Sequence, residues 1–159
     1  MRLISGQSSG INKGFATGIE IWDLKTGNLI KYILATLEVE SYDNIPYPAN
    51  CILKINNSQL AIGIYEDIKI IDINSEFSYI LNFHNKSVTC LVKLNNNQIA
   101  SGSRDKDIVI WDLNEKMRKK VLGGHTENVI NLIRLGECWI ISGSEDKSIK
   151  VWDKQLIII

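Results

Sequence analysis

The segment Gln98-Ile-Ala-Ser-Gly-Ser-Arg-Asp-Lys-Asp-Ile-Val-Ile-Trp-Asp112 returns in close copy as Trp139-Ile-Ile-Ser-Gly-Ser-Glu-Asp-Lys-Ser-Ile-Lys-Val-Trp-Asp153. In these copies Trp111 and Trp152 lie 41 residues apart, and the apolar Ile71 lies 40 residues before Trp111. Each copy joins two short apolar strands by a Ser-x-Asp turn. The sequence therefore predicts an all-β chain built from repeats of about 40 residues.

The ends of the repeats carry a recurring Trp-Asp pair, at Trp22-Asp23, Trp111-Asp112 and Trp152-Asp153. A repeat of this length with this ending resembles the WD40-repeat family, in which each repeat supplies one blade of a β-propeller. Strands such as Ile108–Trp111 are apolar on both faces, so each small sheet must lie between two neighbours, and radially stacked blades supply them. We therefore expect a segment of a WD40-type β-propeller.

Four copies divide the chain into expected blades. The resemblance implies a single WD40 repeat domain over residues 1–159, with blades at about 1–36, 37–82, 83–122 and 123–159. The third and fourth copies are well formed, whereas the first begins within its repeat. The second has lost its polar signature, because Ile62 and Ile71 stand where the later copies have Ser and Trp. Rings of this family usually hold about seven blades, so we expect an incomplete or open ring that another copy or further blades would complete.

The resemblance also implies that four polar residues of each complete blade form a chain of hydrogen bonds. The expected members of this structural network are His84, Ser101, Asp105, Trp111, His125, Ser142, Asp146 and Trp152. The chemistry is consistent, because a carboxylate orients the imidazole, the second imidazole nitrogen meets the hydroxyl, and the hydroxyl satisfies the indole N–H. Each such bond contributes about 1 kcal/mol net and costs more when only one partner is removed.

The same residue types raise the question of catalysis, since Ser, His and Asp also form hydrolase triads. The chain has two histidines, one in each complete copy, and a set that repeats once per blade is typical of a folding element. No His-x-x-x-His or Cys-x-x-Cys motif offers a metal site. The Gly- and Ser-rich segment around Gly10 lacks the Gly-Lys-Ser/Thr ending of a phosphate-binding loop. We predict no catalytic residue, no metal ligand and no cofactor.

Charge and cysteine content restrict the expected partners and compartment. The chain has 18 acidic and 18 basic residues, so no overall field attracts nucleic acid or an anionic membrane. Cys51, Cys90 and Cys138 lie in apolar strand-like stretches, which predicts reduced core thiols in an intracellular protein, cytoplasmic or nuclear. We expect neither a signal peptide nor a membrane span, because no apolar stretch has the required length and flanks.

The stretch Lys116-Met-Arg-Lys-Lys120 is the one local cluster of basic charge in the sequence. We expect it on the outermost strand of the third blade, where Lys and Arg protect an exposed sheet edge from pairing with other chains. The alternative is a phosphoinositide- or nucleic-acid-binding patch, which adjacent aromatic side chains would strengthen. The sequence places no aromatic residue beside the cluster.

Partner-binding residues are expected on one face of the disc. Strand directions alternate within a blade, so the loop leading into each blade and the turn between its second and third strands emerge on the same side. The long segments 7–18 and 38–50 occupy these positions and present Phe15, Tyr42 and Tyr47; they are either recognition loops or tolerated insertions. By resemblance, residues beside the His and the turn Asp add contacts, namely Asn85, Ser87, Arg104, Thr126, Asn128 and Glu145.

These observations predict a non-catalytic scaffold or adaptor that binds other proteins. Fold alone does not determine which partner it binds. The first alternative is an enzyme with its site in the propeller channel, which would require a titratable cluster there. The second alternative is a phosphoinositide- or nucleic-acid-binding module that uses residues 116–120.

Overall fold

The computed structural model describes residues 2–7, 17–34, 49–75 and 77–153. These residues form four sheets. The first sheet comprises β1 (Arg2–Gln7), β2 (Thr17–Trp22) and β3 (Leu29–Leu34), and the second comprises β4 (Ala49–Lys54), β5 (Gln59–Ile64), β6 (Asp67–Asp72) and β7 (Ser78–Asn82). The third comprises β8 (Val88–Lys93), β9 (Gln98–Ser103), β10 (Ile108–Asp112) and β11 (Met117–Leu122), and the fourth comprises β12 (Val129–Leu135), β13 (Trp139–Ser144) and β14 (Ile149–Asp153).

Within each sheet, every strand pairs antiparallel with its neighbour in the chain. Between β9 and β10, for example, Ile108 lies opposite Gly102 and Asp112 opposite Gln98. The described residues confirm an all-β segment of a WD40-type propeller, and their four sheets do not close into a ring. This part of the chain contains no helix that is long and apolar enough to cross a membrane.

The divisions expected after residues 82 and 122 fall between β7 and β8 and between β11 and β12. In the first sheet, β1 and β2 repeat the sequence pattern of β9 and β10, so no described strand there takes the position of β4, β8 or β12. Residues 8–16 and 35–48, which include Phe15, Tyr42 and Tyr47, and the final residues 154–159 lie outside the described residues.

Three apolar clusters hold the sheets in chain order. The cluster between the first and second sheets contains Ile19, Ile21, Ile33, Leu60, Ile62, Ile64 and Ile71. The cluster between the second and third contains Ile55, Ala61, Ile68, Ile70, Leu81, Val88, Ile99, Val109 and Trp111. The cluster between the third and fourth contains Cys90, Leu94, Ala100, Ile108, Ile110, Leu122, Val129, Leu132 and Ile140. Burying one such aliphatic side chain contributes about 1.5–3 kcal/mol, so each junction outweighs any single hydrogen bond.

Isoleucines take the place of the polar network in the second sheet. Ile62 and Ile71 stand at the positions of Ser101 and Trp111, and both are buried against the first sheet. Because neither side chain has a polar atom, no buried group at this junction needs an imidazole as its hydrogen-bond partner. The second sheet thus packs through aliphatic contacts where the later sheets use hydrogen bonds.

Two glycines on second strands let neighbouring sheets approach each other. A Cβ atom at Gly63 would lie 2.5 Å from Cys51 Sγ and 3.0 Å from Val88 Cγ1. A Cβ atom at Gly102 would lie 2.7 Å from Val129 Cγ1. Side chains are too closely packed to admit such contacts. The valine that begins each following sheet therefore fills the space that a side chain at the glycine would need.

Candidate functional site on the loop face

Four side chains of the third sheet form a continuous chain of hydrogen bonds, termed the relay. The Trp111 Nε1–H group donates to Ser101 Oγ over 2.8 Å, and Ser101 Oγ lies 2.8 Å from His84 Nε2. His84 Nδ1 lies 2.7 Å from Asp105 Oδ2. Because an ionised carboxylate only accepts, Nδ1 carries the proton and the serine hydroxyl donates to Nε2. Each polar atom of this site therefore has a partner.

The fourth sheet repeats the relay. The Trp152 Nε1–H group donates to Ser142 Oγ over 2.8 Å, Ser142 Oγ lies 2.7 Å from His125 Nε2, and His125 Nδ1 lies 2.7 Å from Asp146 Oδ2. Ser148 Oγ adds a bond to Asp146 Oδ1 over 2.6 Å. The structure thus brings all eight residues of the expected network together as two sets with nearly the same geometry.

Burial determines what these relays do. Ser101 and Ser142 are fully buried, and His84 and His125 are also buried. A nucleophilic serine must be open to its substrate, whereas these hydroxyls are enclosed between an indole and an imidazole. The relays therefore hold the surrounding loops in position rather than act on a substrate.

Both relay carboxylates have lowered pKa values. Burial raises the pKa of Asp105, but hydrogen bonds from His84 and from nearby backbone N–H groups outweigh burial and lower the pKa below its usual range. The Ser148 hydroxyl, followed by His125 and backbone N–H groups, lowers the pKa of Asp146 against the opposing effect of burial. The two carboxylates are therefore ionised at neutral pH and accept hydrogen bonds.

Further contacts tie the loop that leads into each sheet to the turn after its second strand. In the third sheet the Asn85 N–H donates to Asp105 Oδ2 over 3.2 Å, and the Arg104 N–H donates to Ser87 O over 3.0 Å. Ser103 Oγ donates to a carbonyl of the leading loop over 2.9 Å. The fourth sheet repeats these three contacts at 3.1, 3.0 and 3.0 Å. Loop and turn therefore form one braced unit.

The two braced units also meet each other. Lys106 Nζ, in the turn of the third sheet, lies 3.6 Å from Glu127 Oε1 in the leading loop of the fourth. The resulting surface, residues 84–87, 104–107, 125–128 and 145–148, is termed the loop face. It contains the expected contact residues, of which four are exposed and two half-buried: Asn85, Arg104, Thr126 and Glu145, and Ser87 and Asn128. Asn128 Nδ2 donates to Glu145 Oε2 over 2.7 Å, so part of this surface is already ordered.

Tyr65 extends the loop face and was not predicted from the sequence. It lies in the turn between β5 and β6, its side chain is exposed, and its carbonyl accepts the Val88 N–H over 2.6 Å. That bond places the Tyr65 turn beside the loop leading into the third sheet. Because this turn is one residue shorter than the others and lacks their Ser-x-Asp signature, only its position between two strands could have indicated it.

The basic stretch contacts aromatic rings, so the expectation that none stands beside it is wrong. Lys116 Nζ lies 4.9 Å from the centroid of the Tyr79 ring and 5.4 Å from that of Phe77, and Arg118 Cζ lies 3.9 Å from that of Phe83. The rings belong to β7 and its flanks, about one repeat earlier in the chain. They form, with β11, a cation–aromatic clamp between the rims of the second and third sheets.

The aspartates of the Trp-Asp pairs also have a role that the sequence analysis did not assign. Asp112 Oδ1 accepts the backbone N–H groups of Asn114 and Glu115 over 2.9 and 3.0 Å. Asp72 and Asp23 make the equivalent turn contacts in the second and first sheets. Each aspartate therefore starts the turn into an outermost strand. The signal available in the sequence was the recurrence of an aspartate directly after Trp22, Ile71 and Trp111, where each of these strands ends.

Comparison with known families agrees with this geometry. The family model described as WD domain, G-beta repeat, matches residues 75–112 and 116–153. Each match contains all four residues of one relay, His84, Ser101, Asp105 and Trp111 in the first and His125, Ser142, Asp146 and Trp152 in the second. The chain is a WD40-repeat protein. No curated protein matches it at a significant level.

Proposed function

We propose that this WD40-repeat protein is a non-catalytic scaffold or adaptor that holds a protein partner on its loop face. WD40 repeats in general support protein interaction. The observation that carries the proposal is the bracing of the loop face, where exposed polar side chains stand on loops and turns fixed by two buried relays. A rigid surface loses little conformational entropy when a partner binds.

The chemistry of the loop face fits a polar partner surface with an aromatic contact. Arg104 and Glu145 offer opposite charges, and Asn85 and Thr126 offer hydrogen bonds. Tyr65 supplies an exposed ring at the edge, and Tyr and Arg are enriched among residues that dominate binding energy. The sequence-based candidates Phe15, Tyr42 and Tyr47 belong to the same proposal as further contacts.

The test is capture of partners from cells by the tagged chain, followed by binding measurements with the recovered partner. The variant Tyr65→Ala/Arg104→Ala is expected to bind at least tenfold more weakly with an unchanged thermal midpoint. The matched control is Asn57→Ala/Asn96→Ala, which alters the turns after β4 and β8 at the opposite end of the same two sheets. Equal binding by both variants, or loss only in the control, would contradict the proposal.

Two other functions have less support. An enzyme would need an accessible reactive group, and the Ser-His-Asp sets are buried. Binding of phosphoinositide or nucleic acid would use residues 116–120, but Lys116 and Arg118 already contact rings, and Lys119 Nζ lies 2.7 Å from Glu115 Oε2. Salt-dependent binding to anionic vesicles or to RNA, lost on Arg118→Gln, would revive this alternative.

We also place the protein inside the cell, in the cytoplasm or nucleus. Cys51 and Cys90 are free thiols that pack in the apolar clusters between the sheets. Burial, followed by the influence of Cys90, raises the pKa of the Cys51 thiol to about 12. Such thiols behave as small apolar residues. Localisation of a fluorescent fusion tests this placement, and secretion of the fusion would contradict it.

A further inference from the structure

Four alternate residues of β7 and its flanks form a row that faces the third sheet at the rim. Tyr79 and Leu81 pack in the cluster between the second and third sheets. Because alternate residues of a strand point to the same face, Phe77 and Phe83 continue this row at its two ends. Phe77 is 61% exposed and Phe83 40% exposed. The row is therefore an apolar strip that ends in two accessible aromatic rings.

The two cations of the cation–aromatic clamp, Lys116 and Arg118, contact these rings and have no anionic partner among the described residues. Lys119 differs, because its Nζ atom lies 2.7 Å from Glu115 Oε2. A guanidinium that stacks on a ring keeps its N–H groups in its own plane, where two of them can donate to one carboxylate. The clamp thus holds two positive charges in place without neutralising them.

The backbone at Lys116 is unusual for a residue with a side chain. Its φ angle is 53°, in the left-handed region, and Gly27 has a φ angle of 71° at the corresponding turn of the first sheet. Both residues stand four positions after the aspartate of a Trp-Asp pair. Glycine adopts this conformation freely, whereas lysine is strained in it. The turn itself needs no side chain here, so the lysine contributes its charge and its contact with the rings.

We infer that the cation–aromatic clamp binds an acidic segment of a protein partner in an extended conformation. One carboxylate of the segment accepts two N–H groups of Arg118, and a second carboxylate pairs with Lys116. The two cations stand two residues apart, about 7 Å along a strand at about 3.4 Å per residue. The two carboxylates therefore occupy alternate positions of the segment, and an apolar side chain two positions further covers Phe77.

An acidic protein segment fits the clamp better than a membrane or a nucleic acid does. Attraction to an anionic bilayer or to a phosphate backbone grows with the number of lysines and arginines that face it. The clamp offers two such charges, and Lys119 beside them is neutralised by Glu115 and Asp112. Two carboxylates use both charges fully, and the exposed ring of Phe77 adds an apolar contact that a phosphate backbone would not make.

The test titrates the 15N-labelled full chain with the synthetic peptide acetyl-Glu-Ser-Glu-Ser-Leu-amide. Saturable amide shifts are expected at Phe77, Phe83, Lys116 and Arg118, and binding is expected to weaken as salt is added. The control peptide has glutamine in place of each glutamate. It is expected to bind about tenfold more weakly, because it has no charge to pair with the two cations.

Variants of the chain locate the site. Lys116→Gly is expected to weaken peptide binding about fivefold with an unchanged thermal midpoint, because glycine suits this backbone conformation. The matched control is Lys147→Gly, which removes a lysine with a φ angle of 67° from the turn after β13 and is expected to leave binding unchanged. Arg118→Lys keeps the charge but loses the paired N–H groups, so it is also expected to weaken binding.

Four results would overturn the inference. The first is the absence of saturable shifts at the clamp, and the second is equal binding of the two peptides. The third is an equal loss of binding in Lys116→Gly and Lys147→Gly, because overall charge would then explain it. The fourth is binding to phosphatidylserine vesicles or to an RNA oligonucleotide, tighter than to the peptide, that Lys116→Gly abolishes. Capture of partners by the loop face depends on Tyr65 and Arg104, so the two proposals can fail independently.

Discussion

Ser101 is the residue on which the relay of the third sheet depends most, because its hydroxyl is shared by Trp111 and His84. The substitution Ser101→Ala leaves two buried polar groups without a partner, each worth about 1–3 kcal/mol. We expect it to lower the free energy of unfolding by about 2–4 kcal/mol, measured by urea denaturation. Ser75→Ala alters an exposed turn serine and is expected to change it by less than about 0.5 kcal/mol. Similar losses in both variants would contradict this assignment.

The relay carboxylates predict how stability changes with pH. The pKa values of Asp105 and Asp146 are lower in the folded chain than in the unfolded chain, so the unfolded chain binds more protons in acid. Their contribution is fully present above the unfolded value of about 4 and is lost as pH falls toward the folded values. Denaturation measured between pH 2 and 6 is expected to show this loss. The double variant Asp105→Asn/Asp146→Asn is expected to show a weaker dependence of stability on pH. An unchanged acid slope in the double variant would contradict it.

At the scale of single residues, the relays were predictable because the same residue types recur at the same spacing in two copies. The resemblance to the WD40 family implied the arrangement, and the chemistry supported it because a buried indole, imidazole and hydroxyl each need a partner. Tyr65 had no such pattern. The turn that contains Tyr65 lacks the Ser-x-Asp signature. The position of Tyr65 beside the third sheet depends on a hydrogen bond from the Val88 N–H to the Tyr65 carbonyl, and no residue pattern indicates a backbone contact of this kind.

The second strands of the sheets carry glycines that differ in what surrounds them. We expect Gly102→Val to lower the free energy of unfolding by about 3 kcal/mol or more, because its side chain would overlap Cys90 and Val129. A side chain at Gly143 would have no described residue within 4 Å of its Cβ atom, and the backbone angle there is ordinary. The effect of Gly143→Val is therefore expected to be within about 0.5 kcal/mol. Thermal unfolding of the two variants checks the contrast. Equal destabilisation by the two substitutions would contradict this contrast.

The outermost strand β11 stabilises the junction with the second sheet through the cation–aromatic clamp. Arg118→Gln is expected to reduce stability by about 0.5–1 kcal/mol, the usual value for an exposed cation–aromatic contact. A double-mutant cycle with Phe83→Leu measures the coupling directly. A coupling energy near zero would mean that the stretch only protects the strand edge.

At the scale of elements, strands and turns followed from alternating apolar stretches and Ser-x-Asp signals, but the clamp did not. Phe77 lies about one repeat before Lys116, and Phe83 about one repeat before Arg118. Each ring meets its cation only because consecutive sheets lie side by side. A contact between rims depends on how far each sheet is rotated against the next. The spacing of residues within one repeat does not determine this rotation between sheets.

The whole molecule is a stack of four sheets in chain order, with buried relays in the third and fourth and aliphatic packing in the first junction. The aliphatic residues Ile149 and Val151 of the fourth sheet are exposed, whereas Ile108 and Ile110 at the same positions of the third sheet are buried. The loop face, which the relays hold in position, and the cation–aromatic clamp are the surfaces that we propose for binding.

Hydrogen exchange of the four indole N–H groups tests the central claim most directly. If two buried relays hold this structure together, the indole protons of Trp111 and Trp152 exchange far more slowly than those of Trp22, bonded to the carboxylate of Glu20, and Trp139, which is exposed. The NMR spectrum is also expected to show the Nδ1–H tautomer for both His84 and His125. Exchange of Trp111 or Trp152 as fast as that of Trp139, or a proton on Nε2 of either histidine, would contradict the account.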